Sequence, residues 1–322
     1  MPRALRIEFE GAIYNVMNRG DRGEAIFRDD ADRRRFMATL GETCAKADWE
    51  VHALCLMGNH FHLVVETPKG NLVAGMKWLL GTYTTRFNRR HRLFGHLFSG
   101  RYRALLVDAE SPGYFGTVCE YVHLNPVRAK LLTPPQPLRD YVWSSYPEYL
   151  KLPKRRWPWL RVERLFGELR LPKDSAAGRR QFERQTETRR RQEGVGEEWA
   201  GIRRGWFFGA DALKEELLAR ASERVGPQHY GAARQESEEA KAERLVREEL
   251  GKLGWEESDL AQRRKGDAGK VRIARRLRRE TTMTLAWIAR RLQMGVWTHV
   301  SNLLRAEGSS GGDAGVSVKS ED

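Results

Sequence analysis

The chain has 322 residues, of which 40% are hydrophobic, enough for a folded core and against wholesale disorder. Lys and Arg outnumber Asp and Glu by 57 to 43, a net charge of +14, and this balance favours polyanion partners, nucleic acid ahead of an anionic membrane surface. The three cysteines, Cys44, Cys55 and Cys119, form no CxxC pair, which argues against a disulfide framework or a cysteine zinc site and fits a reducing cytoplasm; no apolar run approaches the roughly 20 residues of a membrane span, and no signal-peptide core is present.

Gly11 to Met17 is short and β-rich, and it breaks at Asn18-Arg19-Gly20. From Asp29 to Ala47, Phe36, Leu40 and Cys44 recur at helical spacing behind an aspartate-rich start suited to capping. Trp49 to Met57 and Phe61 to Glu66 read as strands joined at Gly58-Asn59, a hairpin signal. Asn71 to Arg90 carries Leu72, Val73, Met76, Leu79, Leu80, Tyr83 and Phe87 on one face and reads as a helix. Arg101 to Val107 reads as a fourth strand, and Ser111 to Leu132 as one helix capped by Ser111 with Pro112 in its first turn. The order β-α-β-β-α-β plus a further helix predicts an α+β fold: a ferredoxin-like antiparallel sheet with helices on one face, the other face, or the sheet centre, left free to present a site.

After Tyr146 the texture changes. Residues 151–265 read as a basic linker and charged helical region, with helices over Leu213 to Val225 and Glu236 to Leu253. Residues 266–307 form a third unit whose helical patterns, Thr284 to Gln293 and Thr298 to Arg305, resemble a helix-turn-helix; the tail, 308–322, reads as disordered. No internal repeat is found.

Two groups of residues carry chemistry. His60 and His62 stand two apart in a β-rich segment, so their imidazoles leave the same face while Phe61 points into the core, an arrangement that can chelate a metal. Tyr121 and Asn125, four apart on a predicted helix, share a face. A phenol there can attack phosphorus while the carboxamide reaches the same cation as the histidines. Three neutral ligands would leave that cation its full charge for Lewis-acid work on a phosphodiester. The aryl phosphate formed has a leaving group of pKa about 10, so a later 3′-OH can displace it and rejoin the strand. No residue stands out as general base.

The run Leu56-Met57-Gly58-Asn59-His60-Phe61-His62-Leu63-Val64 resembles the HUH segment of single-tyrosine transposases related to insertion sequence 200. Tyr121-Val122-His123-Leu124-Asn125-Pro126-Val127-Arg128-Ala129 resembles the catalytic helix of one branch, the REP-associated tyrosine transposases. Tyr14 to Gly20, Gly100-Arg101-Tyr102 and Trp143-Ser144-Ser145-Tyr146 match that branch too, in the right order, within about residues 8 to 150. The resemblance implies an HUH transposase and nuclease domain over residues 1–150, with His60 and His62 as metal ligands, Asn125 assisting them, and Tyr121 forming a 5′-phosphotyrosine bond. It further implies Mg²⁺ or Mn²⁺, a single-stranded or REP-like hairpin DNA substrate, and a bacterial cytoplasmic protein, nucleoid-associated when bound, acting as monomer or homodimer. One departure is Asn15, where relatives often carry histidine.

Arg19, Asn59, Arg101 and Arg128 are candidate phosphate or base contacts. Arg89 and Arg90 belong to a basic, aromatic-rich stretch over 86–103 that would suit single-stranded DNA. Thr298, His299 and Asn302 would begin the reading helix of the helix-turn-helix. The alternatives are a non-catalytic DNA-binding regulator on the same scaffold, which has no need of the His60, His62, Tyr121 and Asn125 set, and a replication-type nickase, against which the absence of a P-loop weighs.

Overall fold

The computed structural model describes residues 7–171, 173–192, 199–203, 205–224 and 232–306, and the chain divides into two units, Met1–Pro227 and Gln228–Asp322. The first unit opens with β1 (Ala12–Arg19), α1 (Asp30–Ala47), β2 (Glu50–Leu56), β3 (His60–Thr67), α2 (Leu72–His91) and β4 (Arg103–Val107), the predicted order. β3 pairs antiparallel with both β1 and β2, and β1 pairs antiparallel with β4. A short late strand, β5 (Phe207–Phe208), adds parallel to β4, so the sheet order is β2-β3-β1-β4-β5 and the sheet is mixed at that edge.

α1 and α2 cover one face, as expected. Asp29 caps α1 by accepting from the Asp32 amide at 3.0 Å, satisfying one of the donors a helix start leaves open. Phe36 of α1 meets Phe61 of β3 at 4.9 Å and Tyr83 of α2 at 5.0 Å. Gly75 is required on α2 because a Cβ there would lie 2.1 Å from the Trp49 ring.

The face expected to stay open is roofed by α3 (Tyr114–His123), which lies over β2, β3 and β4, followed by α4 (Asn125–Arg128). These two replace the single helix expected from Ser111 to Leu132. Ser111 is not the cap: Asp108 holds the Ser111 amide at 3.0 Å, and the helix starts after Gly113, whose φ of 94° suits only glycine. The helix then breaks at Leu124, because Pro126 has no amide to continue the ladder and its ring crowds the preceding turn.

The unit continues with α5 (Tyr146–Leu150), α6 (Glu163–Glu168), which packs on α3, α7 (Ala176–Gln192), which packs on α5, α8 (Ala200–Arg203) and α9 (Asp211–Arg224). Residues 151–227, expected within one linker region, therefore belong to the first unit. Phe166, Phe182, Trp199, Ile202 and Leu217 are buried in its core. Their basic neighbours are accommodated by pairing, as where Asp174 holds both Arg156 and Arg179. The Trp-Ser-Ser-Tyr motif runs along β2: the Leu56 amide donates to Trp143 O and the Ser145 amide to Leu54 O, both at 2.8 Å. Ser145 Oγ also lies 2.9 Å from His123 Nε2, tying α3 to the sheet edge.

The second unit consists of α10 (Ala232–Leu253), α11 (Asp259–Gln262), α12 (Ala268–Glu280), α13 (Leu285–Arg291) and α14 (Trp297–Ala306). α10, expected with the preceding region, supplies Leu245, Val246 and Leu250 to the core that Ile273, Ile288, Leu292 and Val300 share. Thr284 caps α13, accepting from the Trp287 amide at 3.2 Å. The predicted tail, 308–322, lies outside the described residues. Among the described residues no helix is long and apolar enough to cross a membrane.

Candidate active site

Strand pairing sets His62 opposite Met17 of β1 and Cys55 of β2, and His60 opposite Arg19. Period-two alternation then sends both imidazoles, with Asn15 and Met17, toward the roofed face. The two rings are 5.3 Å apart. Asn59 Oδ1 sits 2.7 Å from His60 Nδ1, and an amide oxygen can only accept, so Nδ1 carries the proton and Nε2 keeps its lone pair. His62 Nδ1 is buried without a hydrogen-bond partner among the described residues.

Both imidazoles are held neutral. Burial, and then the Arg19 charge, pulls His60 down to about 4. Burial, followed by His60, Arg128 and Arg103, pulls His62 down to about 3. A pair of neutral imidazoles with free ring nitrogens is the form in which histidine binds metal.

Tyr121 comes down from α3 onto this pair, its ring 5.6 Å from that of His62 and almost perpendicular to it. On the other side Trp199, just before α8, lies 5.5 Å away. The Arg128 guanidinium sits 4.1 Å from the Tyr121 ring centroid and 5.3 Å from that of Trp199, and it donates to the Tyr121 carbonyl. The phenol is thereby packed to 8% exposure on a stack of cation and rings. Asn125 lies beyond the helix break yet faces the same space.

His60, His62, Tyr121, Asn125 and Arg128 line a cavity of about 330 Å³, together with Asn15, Arg19, Arg103 and Arg203. No Asp or Glu lines it. Among the described residues, no three His, Cys, Asp or Glu side chains converge as a metal-holding group, so a cation here would draw on the two imidazoles and a carboxamide. The donor set fits that role: two neutral rings, one oriented by Asn59 and one with an unsatisfied nitrogen, beside Asn125. Asn15 Oδ1 is a further buried acceptor without a partner among the described residues, in the wall of the same cavity.

The structure redistributes the other candidates. Arg19 is exposed at the cavity, whereas Asn59 is spent on His60 and, at 3.0 Å, on Gly23 O. Arg128 is stacked on Tyr121 rather than presented to solvent. Arg90 pairs with Asp29 and Asp32, and Arg86 with Glu42, so much of the expected basic stripe on α2 is neutralised by α1. Arg89 is exposed on α2, across the sheet from the histidines, and Arg101 is exposed outside the cavity lining. Thr298, His299 and Asn302 lie on α14 in the second unit.

Sequence reading missed the wall that residues 199–203 and 205–210 supply. Arg103 donates to the carbonyls of Arg203 and Gly205, β5 hydrogen-bonds to β4, and Asp108 Oδ2 accepts from the Ala210 amide at 3.1 Å. Gly209 permits this return, since a Cβ there would be 2.1 Å from Asp108 Cβ. Its one signal was an aromatic run, Trp206-Phe207-Phe208, in an otherwise charged stretch.

Residues 9–125 match the family model described as Transposase IS200 like. Among solved structures, a REP-associated tyrosine transposase bound to a REP hairpin is similar at 11% identity and a TM-score of 0.40, over 47% of this chain and 86% of that one. No curated protein sequence matches the chain.

Proposed function

We propose that this IS200-like transposase domain cleaves and rejoins single-stranded or REP-like hairpin DNA, with Tyr121 as the nucleophile and His60, His62 and Asn125 as the holders of Mg²⁺ or Mn²⁺. The observation that carries the reading is convergence: strand, helix and post-helix residues line one cavity without a carboxylate among them. When bound, the divalent ion supplies Lewis-acid polarisation of the scissile phosphodiester, undiminished by anionic ligands.

The chain's own groups account for the rest. Tyr121 Oη forms the bond to phosphorus, the bond from phosphorus to the 3′ oxygen breaks, and the phenolic proton passes to solvent while the leaving oxygen gains one. Rejoining reverses this, the incoming 3′-OH displacing an aryl oxide of pKa about 10. Arg19, Arg103, Arg128 and Arg203 around the cavity supply positive potential for the phosphate. The neutral state of both histidines keeps them available as ligands through the physiological range.

The test incubates the full chain with labelled hairpin oligonucleotides and Mn²⁺ and looks for a covalent protein–DNA adduct on denaturing gels. The adduct should form with wild type, vanish in Tyr121→Phe and be lost on chelation. An adduct persisting in Tyr121→Phe would move the nucleophile elsewhere. Hairpin binding without any adduct would favour a regulator built on the same scaffold.

A further inference from the structure

The second unit holds its own basic concavity, of about 540 Å³, lined by Arg263, Arg264, Lys265, Arg290, Gln293 and Gly295 with two alanines, and with no acidic residue. Its frame is pinned from inside. Lys270 is fully buried, and its ammonium donates to Leu260 O at 2.7 Å, Arg263 O at 3.1 Å and Gln293 O at 3.4 Å. One buried cation thus ties the connection between α11 and α12, which carries Arg264 and Lys265, to the turn that follows α13, the helix that carries Arg290. Gly295, at φ +86°, lets that turn pass close to the Lys265 stem, whose Cδ lies 3.4 Å from where a Cβ would be.

Charge in this unit is sorted. Arg276 is held by Glu248, Glu249 and Glu280, and Arg291 by Glu243 and Glu257. Arg263 stacks on Trp255 at 3.9 Å, with Asp259 and Asp267 near 4 Å. Arg264, Lys265 and Arg290 are exposed, and no carboxylate pairs with them among the described residues. Beside them Trp297 is 55% exposed at the start of α14, and Thr298, Asn302 and Arg305 follow at helical spacing, all exposed.

We infer that this surface binds duplex DNA, seating backbone phosphates on Arg264, Lys265 and Arg290 while the Thr298–Asn302–Arg305 face of α14 enters the major groove. Unpaired cations on a rigid frame are what phosphate contacts require, because each releases condensed counterions on binding. A helix face of hydroxyl, amide and guanidinium fits a major groove about 12 Å wide. A single-strand site would instead need a succession of stacking aromatics, and this surface exposes one, Trp297. The inference does not depend on the chemistry assigned to Tyr121.

The test measures binding of the full chain to a labelled duplex of about 20 base pairs, by anisotropy over a salt series. Losing three phosphate contacts in the Arg264→Ala, Lys265→Ala, Arg290→Ala variant should lower the slope of log K against log salt by about 2.7, at about 0.9 per contact. Affinity near physiological salt should fall at least tenfold. Circular dichroism checks that the variant folds; if it does not, the Lys265→Glu, Arg290→Glu pair takes its place, with a larger affinity loss expected. An unchanged slope and affinity would overturn the inference. So would a single strand of the same length that binds as tightly as the duplex and loses as much in the variant.

Discussion

The two basic concavities of this chain draw on the same excess of arginine and lysine and use it in opposite ways. In the first unit several cations are committed to protein, Arg128 to the Tyr121 ring and carbonyl, Arg103 to two carbonyls, Arg86 and Arg90 to carboxylates of α1, while Arg19 and Arg203 stay exposed at the cavity. In the second unit one buried lysine organises the backbone and three cations are left to solvent. A reaction centre needs groups fixed and desolvated before the substrate arrives, because reorganisation then costs nothing during the reaction. A phosphate seat needs charge that has not already been neutralised. Net charge favours a polyanion partner; the partner of each guanidinium is what separates the proposed reaction centre from the proposed phosphate seat.

The sharpest way to break this division is chemical. Tyr121→Phe should lower covalent adduct formation by at least about three orders of magnitude, since losing a nucleophile removes the step rather than tuning it. Hairpin and duplex binding should be retained, measured by anisotropy on the same preparations. A variant that lost binding and adduct together would make the phenol part of the DNA surface. Next in size is Asn59→Ala. Asn59 fixes the proton of His60 on Nδ1, and removing such a partner of a ligating histidine costs about 10- to 100-fold in metal affinity. Manganese titration by calorimetry should show that loss with Tyr121 intact; unchanged affinity would mean that His60 needs no such support.

Much of the first site was legible because its parts are local. A period of two placed His60 and His62 on one face, and the strand order followed from the succession of periodic runs. Bringing Tyr121 to the histidines was beyond spacing, since that contact joins α3 to β3 across the sheet and rested on motif resemblance. The helix break at Leu124 was hidden because Pro126 was read as lying inside a helix, although its ring was the signal for the break. Arg90 and Asn59 looked like DNA contacts because their partners, Asp29 and Asp32 and His60, are set by packing or by side-chain rotamer. The wall formed by residues 199–203 and 205–210 was the least legible, being folded back by hydrogen bonds to Arg103, Asp108 and the β4 backbone within a stretch of linker-like composition.

That wall yields an effect of similar size. Trp199 packs on Tyr121 without lining the cavity, so the role it is placed for is positioning the phenol. Trp199→Ala should slow adduct formation about 10- to 100-fold, the scale of a misplaced nucleophile, with hairpin affinity unchanged. Trp199→Phe should restore most of the rate, because a ring still fills the place 5.5 Å from Tyr121. Failure of Phe to rescue, together with loss of hairpin binding, would make Trp199 a DNA contact instead.

A further contrast separates the units by acid. His62 and His123 are buried in the first unit with pKa values drawn by desolvation to about 3, below an ordinary value of 6.5. In the unfolded chain these rings take up protons first as pH falls, so the first unit loses stability between pH 6.5 and about 3, at up to about 1.4 kcal/mol per histidine per pH unit. In the second unit, burial opposes ionisation of Glu249, but hydrogen bonds from Lys252, Arg272 and Arg276 outweigh it and hold the carboxyl near 2, below its usual 4.5. Its contribution is present above pH 4.5 and is lost only as pH falls from there toward 2. Between pH 6.5 and 4.5, then, the first unit should weaken while the second holds. Hydrogen exchange in chelator, corrected for intrinsic rates, should show peptides from 114–123 losing protection from pH 7 to pH 5 and peptides from 268–280 keeping theirs. Equal loss in both would mean that the buried imidazoles contribute no differential proton uptake, and with it would go the neutral-histidine basis of the first site.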